Sequence, residues 1–149
     1  MAWVVGLYLT GNNPYGPKRL MAIFFPPIAV LLGQWHLRRS FQPDSPGILR
    51  SIGVGLLITL ITALLSAGGV YGFARQTGPE PIARHVAEMR ELLERGKPMF
   101  LKQKNGQQQY EQTYNNLAQT PLDFASDDLF KKLLFGFLMS IPGGIFLRK

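Results

Sequence analysis

Two long stretches of the chain carry no Asp, Glu, Lys or Arg: residues 20–37 (LMAIFFPPIAVLLGQWHL) and 51–74 (SIGVGLLITLITALLSAGGVYGFA). A helix that crosses a bilayer needs about 20 mostly apolar residues. At about 1.5 Å per residue, the first run gives ~27 Å of helix and the second ~36 Å, enough to span with some tilt. A third run, 129–147 (LFKKLLFGFLMSIPGGIFL), is apolar apart from two lysines. Thr120, Pro121 and Asp123 mark the start of its helix, as an N-cap, a proline at the first helical position and an acid in the first turn. Within the runs, Pro26–Pro27 predict a kink near the middle of the first. Pro142, Gly143 and Gly144 predict a kinked or frayed end to the third. Met1–Leu9 is apolar but too short to span, and Thr10–Pro17 reads as a tight turn. The short segment is either an interfacial tail or, as we prefer, a partial span 1–9 whose first half lies upstream of the assigned start.

Between the second and third runs the pattern changes to helical amphipathicity. Ile82, Val86, Met89 and Leu93 form one apolar stripe. Opposite-charge pairs at i,i+4 (Glu80–Arg84, Arg84–Glu88, Arg90–Glu94, Glu91–Arg95) occupy the other faces. Gly96 and Pro98 predict a break, and Tyr110, Tyr114 and Leu117 a second helix. This arm, residues 79–119, lies on the membrane surface, packs on itself, or packs on a partner.

Charge sharpens the picture. The total of +7 divides into +4 over residues 1–50, −1 over 75–128 and +4 over 129–149. The excess therefore flanks the apolar runs, where Trp35, Arg38, Arg39, Arg50, Lys131, Lys132, Arg148 and Lys149 read as interface anchors. Lys131 and Lys132 are expected to pair with Asp127 and Asp128 and to snorkel toward the headgroups. No clustered basic face or nucleic-acid motif is present, so nucleic acid is not an expected partner. The chain has no cysteine, which excludes disulfides, thiol catalysis and Cys-ligated metal. The N-terminus lacks the basic region of a secretory signal.

Small residues recur at every fourth position in the second run (Ser51, Gly55, Thr59, Ala63, Ala67) and in the third (Gly136, Ser140, Gly144). Such rows let helix backbones approach closely in lipid. Gly68 and Gly72 add a GxxxG pair on a neighbouring face. The two rows are expected to pack on each other within the chain, with a dimer seam as the alternative. Thr59, Thr62 and Ser66 read as hydrogen-bonding within or between helices.

Candidate chemistry is sparse. No charged residue is expected at the centre of a span, which argues against ion-coupled transport. His36 reads as interfacial and His85 as a helix-surface residue, with no metal-ligand spacing around either. Asp127 and Asp128 suit a helix start. No nucleophile elbow, phosphate loop or dinucleotide fingerprint occurs. The expectation is no enzyme, no catalytic or metal-binding residue and no cofactor.

The order of these features resembles a bacterial membrane-protein family known mainly from Bacteroidota and catalogued as domain of unknown function 4199. The matching stretches are Asn13–Pro14 before a span, the segment GILRSIGVGLLITLITALLSA (47–67), the polar helical arm and a last span ending FLRK (146–149). The resemblance implies a four-span protein of the cytoplasmic membrane, with Met1–Leu9 a truncated first span, and it implies no chemistry. The expected architecture is a single all-α integral membrane domain over residues 1–149. It is a bundle of three to four transmembrane helices with the amphipathic arm before the last span. With residues 38–50 and the C-terminus inside, five basic residues face the cytoplasm and four flank the other side, which puts the arm in the periplasm. The expected role is a structural or accessory membrane component, in contact with the lipid bilayer. Its arm binds a membrane or envelope protein, the membrane surface or a second copy. The alternative is a small permeation or lipid-handling protein.

Overall fold

The apolar runs all become helix in the computed structural model, which describes residues 2–147, and every regular element among them is helical. A short helix α1 (Ala2–Leu9) leads through a turn at 10–16 into a 3-10 helix (Pro17–Phe24) and then α2 (Phe25–Ser40). The long α3 (Ile48–Thr77) follows. The arm consists of α4 (Glu80–Phe100) and α5 (Gly106–Asn115), and the chain returns through α6 (Pro121–Phe146). Three segments are long and apolar enough to cross a membrane: Pro17–Ser40, Ile48–Thr77 and Pro121–Phe146.

The two predicted proline effects take a different form from the expectation. Pro26 and Pro27 do not kink the middle of a helix but sit in the first turn of α2. A proline there loses only an N–H that would be unpaired anyway, and the residues upstream continue as a 3-10 helix. At the other end of the bundle, Pro142 lies inside α6, which runs unfrayed through Gly143 and Gly144 to Phe146. Both glycines are buried against neighbouring helices. In the arm, α4 likewise runs through Gly96 and Pro98 to Phe100. The break falls instead at 101–105, where Asn105 takes a left-handed conformation (φ 64°) before α5.

The start of α6 carries a complete capping box. Thr120 Oγ1 accepts from the Asp123 amide at 3.2 Å, and Asp123 Oδ2 accepts from the Thr120 amide at 2.9 Å. Two otherwise unpaired backbone donors are thereby satisfied.

Packing centres on α3, which lies against both α2 and α6. Its inward face is the row Ser51, Gly55, Thr59, Ala63 and Ala67, all buried, and α6 presents Gly136, Ser140 and Gly144. The pairing is antiparallel. A β-carbon on Gly144 would strike Ile52, one on Gly136 would strike the Thr59 side chain, and one on Gly55 would lie 2.9 Å from Ser140 Oγ. On the other side, Gly33 of α2 admits the Ile58 side chain. Gly68 and Gly72 stand apart from this seam, with nothing within 4 Å of the position of a β-carbon.

The end of the bundle carrying the 10–16 turn, the arm and the start of α6 is here called the head. An apolar cluster of Val4, Tyr15, Val70, Phe73, Ala74, Ile82 and Phe124 closes it. It joins α1, the turn, α3, α4 and α6. The tie is reinforced by Trp3, whose indole N–H donates to the Lys18 carbonyl at 2.9 Å.

Candidate functional site

Lys131 and Lys132 are adjacent in sequence but face different surroundings, because successive residues of a helix point about 100° apart. Lys131 is exposed and pairs with Asp127 at 2.7 Å, on the outside of α6. Lys132 is turned into the bundle and is only 5% exposed. It does not snorkel, and the reading of Lys132 as an interface anchor is corrected.

Inside, Lys132 Nζ donates to Asp128 Oδ2 at 2.7 Å and to Ser66 Oγ of α3. Ser66 donates in turn to the same carboxylate oxygen at 2.8 Å. The other oxygen, Asp128 Oδ1, accepts from the Arg19 guanidinium at 3.2 Å. Arg19 also donates to the Phe124 carbonyl at 2.9 Å, and its guanidinium lies 5.8 Å from the centre of the Phe124 ring. Arg19, Asp128 and Lys132 are all buried. The 3-10 helix, α3 and α6 thus meet at two cations that share one carboxylate.

The sequence reading found the Asp128–Lys132 pair by its spacing and missed Arg19 as its third member. The signal for Arg19 is the 3-10 helix, which turns it inward while Lys18 stays exposed and donates to Asn12 at 2.6 Å.

Two clefts open beside the cluster. One, of about 860 Å³, lies at the head, and Tyr15, His85, Phe124, Asp127 and Lys131 are among the residues lining it. The other, of about 510 Å³, is an apolar groove among α1, α2 and α3 that includes Trp3, Phe25, Ala29 and Leu65. Lys132 lines both.

His85 is buried in the head, not on the arm's surface as expected. Its ring lies between Tyr15 and Phe124, with centroid distances of 6.2 and 5.6 Å. Nδ1 is 3.2 Å from Asn13 Nδ2, which also donates to Glu88 at 2.6 Å. Burial holds the His85 pKa below its ordinary value; Glu88 opposes the shift and Arg19 adds to it.

A second polar junction lies at the opposite end, where α2 reaches the seam. Gln34, fully buried, donates through Nε2 to the Ser51 carbonyl at 3.1 Å and the Ser140 carbonyl at 2.9 Å. A β-carbon on Gly143 would strike its Oε1. No periodic pattern in the sequence marks Gln34. The available signal was a lone amide inside an uncharged run, since buried amides in membrane helices bond to neighbours.

The remaining predicted residues divide plainly. Trp35 is exposed, with the Arg39 guanidinium 5.7 Å from its ring centre, and Arg50 lies 5.1 Å from that of Phe41. Arg38 is half-buried. Arg148 and Lys149 fall outside the described residues. Along the arm's stripe, Ile82 is buried and Val86, Met89 and Leu93 are half-buried. Of the four predicted ion pairs, Arg84–Glu88 and Glu91–Arg95 close. Arg90 instead covers the Tyr114 ring at 5.2 Å and Lys97 the Tyr110 ring at 5.1 Å, which folds α5 back along α4. No group of three or more metal-ligating side chains occurs among the described residues.

The chain matches the family model described as Protein of unknown function (DUF4199) over residues 1–149, its whole length, and it belongs to that family. No curated protein and no solved structure matches it.

Proposed function

From a family membership that assigns no activity, we propose that the protein is a non-catalytic, structural or accessory component of the bacterial cytoplasmic membrane whose α4–α5 arm binds a protein partner. One observation carries this reading. The arm is fixed at its base and open at its far end. Ile82 and His85 are packed into the head, whereas Leu92, Met99 and Leu101 are exposed. Met99 and Leu101 lie among Lys97, Lys102 and Lys104. An anchored helical hairpin with an uncovered apolar tip suits capture of a partner of opposite charge.

The charge distribution supports an arm on the periplasmic side. Arg19 and Lys132 are paired internally with Asp128. This leaves Lys18, Arg75 and Lys131 as the exposed basic flanks of the spans at the head, against Arg38, Arg39 and Arg50 at the other end, where Arg148 and Lys149 also follow α6 in the sequence. The positive-inside tendency then favours the latter end as cytoplasmic. The dispersed arm charges give no surface for nucleic acid.

The test uses the absence of native cysteine. A cysteine at Gln108, exposed on α5, is expected to react with a membrane-impermeant maleimide in cells with a permeabilised outer envelope. Labelling only after lysis would invert the orientation. Site-specific photo-crosslinking from Met99 and Leu101 is expected to trap a stoichiometric protein, and loss of crosslinks only from these positions on mutation of the tip would identify the surface. Absence of any adduct would defeat the partner reading.

A further inference from the structure

We propose that the apolar groove among α1, α2 and α3, with Lys132 at its end, is a binding site for an anionic phospholipid of the surrounding bilayer. The charge balance points to the ligand. Two buried cations face one buried carboxylate, which leaves an excess positive charge. Asp127 is already paired with Lys131 on the outside of α6, so it does not cancel that excess. A buried charge is costly without a partner, and a phosphodiester provides one. Lys132 spends two donors, on Asp128 and Ser66, and an ammonium has three.

The position suits the same ligand. The apolar runs of α2 and α6 begin beside Arg19 and Lys131, and beyond Ser66 the helix α3 is packed into the head through Val70, Phe73 and Ala74. The cluster therefore stands at the border between headgroups and acyl chains. From Lys132 and Ser66 the groove leads past Trp3, Ala29 and Leu65, with Phe25 and Leu65 exposed toward lipid. An acyl chain fits that lining and a phosphate fits the end. The site is independent of the arm and of whatever the arm binds.

Trp3 supplies the readout. In a Trp35→Phe background, the full chain is reconstituted in phosphatidylcholine vesicles containing either brominated phosphatidylglycerol or brominated phosphatidylcholine. Phosphatidylglycerol should quench Trp3 with a relative association constant about fivefold higher, the size expected for one cation meeting an anionic headgroup. Lys132→Met should bring the ratio to about one, because Arg19 and Asp128 then form a balanced pair. Lys131→Gln, which removes an equal charge outside the groove, should leave most of the preference. Ala29→Phe fills the groove without touching the ions and should also abolish it, which keeps the test open if Lys132→Met fails to fold. Equal quenching by the two lipids in the parent, or a preference surviving both Lys132→Met and Ala29→Phe, would overturn the assignment. Quenching that disappears as dimers form would assign the groove to a second copy and overturn it too.

Discussion

Whether a glycine matters in this chain depends on what its missing β-carbon would meet. At Gly136 that atom would strike the Thr59 side chain, and at Gly55 it would fall 2.6 Å from Gln34 Nε2. Overpacking of this kind costs about 1–3 kcal/mol. Gly136→Ala should therefore lower stability by that amount in a detergent-denaturation titration. Gly68→Ala meets nothing and should stay within ~0.5 kcal/mol of the parent. All of these glycines look alike as small residues at fourfold spacing. The spacing does not tell which members of the row also meet α2, as Gly55 meets Gln34. Gln34 illustrates the same gap, since its two carbonyl partners come from α3 and α6 and no local pattern around residue 34 encodes them.

His85 carries a pH prediction at the same scale. Its folded pKa is lowered, chiefly by burial. Above its ordinary value of 6.5 both folded and unfolded forms are neutral and the head is at full strength. As pH falls through that value the unfolded chain takes up a proton more readily, and stability declines until the lower folded pKa is passed. Protonation at Nδ1 also abolishes the acceptor for Asn13. Hydrogen exchange in α4 should thus accelerate between pH 7.5 and pH 5 relative to the bundle. His85→Gln should flatten that dependence, and a parent protein with no pH response in α4 would contradict it.

Among the elements, α6 shows how far a sequence can be read. Its first turn was legible from Thr120, Pro121 and Asp123 because a capping box is local chemistry. Thr120→Ala should cost about 1 kcal/mol, seen as faster amide exchange in the first turn of α6 with the distal part of the helix unchanged. The helical spacing of the arm's stripe was legible for the same reason. What was not legible arises between elements. Lys131 and Lys132 look equivalent until the bundle sets the rotation of α6. Pro26–Pro27 read as a kink because the helix was assumed to be continuous, whereas the chain changes from 3-10 to α there. His85 looked like a surface residue because the 10–16 turn that covers it lies 72 residues away in sequence.

For the molecule as a whole, the charge cluster is a joint between three separate segments. Asp128→Asn would leave Arg19 and Lys132 buried together without a counter-ion. Breaking a buried pair from one side costs about 3–5 kcal/mol, so this variant should unfold or fail to accumulate in membranes. Lys132→Met removes one of the two cations and should be far milder, read by the same denaturation titration. If Asp128→Asn were the milder change, the carboxylate would not be the centre of the joint. The membrane class and the all-helical architecture followed from the uncharged runs alone, since only closed hydrogen bonding survives in lipid. The joint did not, because ion pairs between distant segments leave no periodic trace.

That joint also bears on how the chain enters its membrane. The middle of α3 has no charge and can leave a protein-conducting channel for lipid unaided. The last helix carries Asp127, Asp128, Lys131 and Lys132 in its first half, and a charge taken out of water without its partner is costly. Ser66 and Arg19, which receive Asp128 and Lys132, are synthesised first. An ordered biogenesis would follow from these contacts, with the earlier helices forming a receptor for the last one and α6 integrated by its own protein as much as by the bilayer.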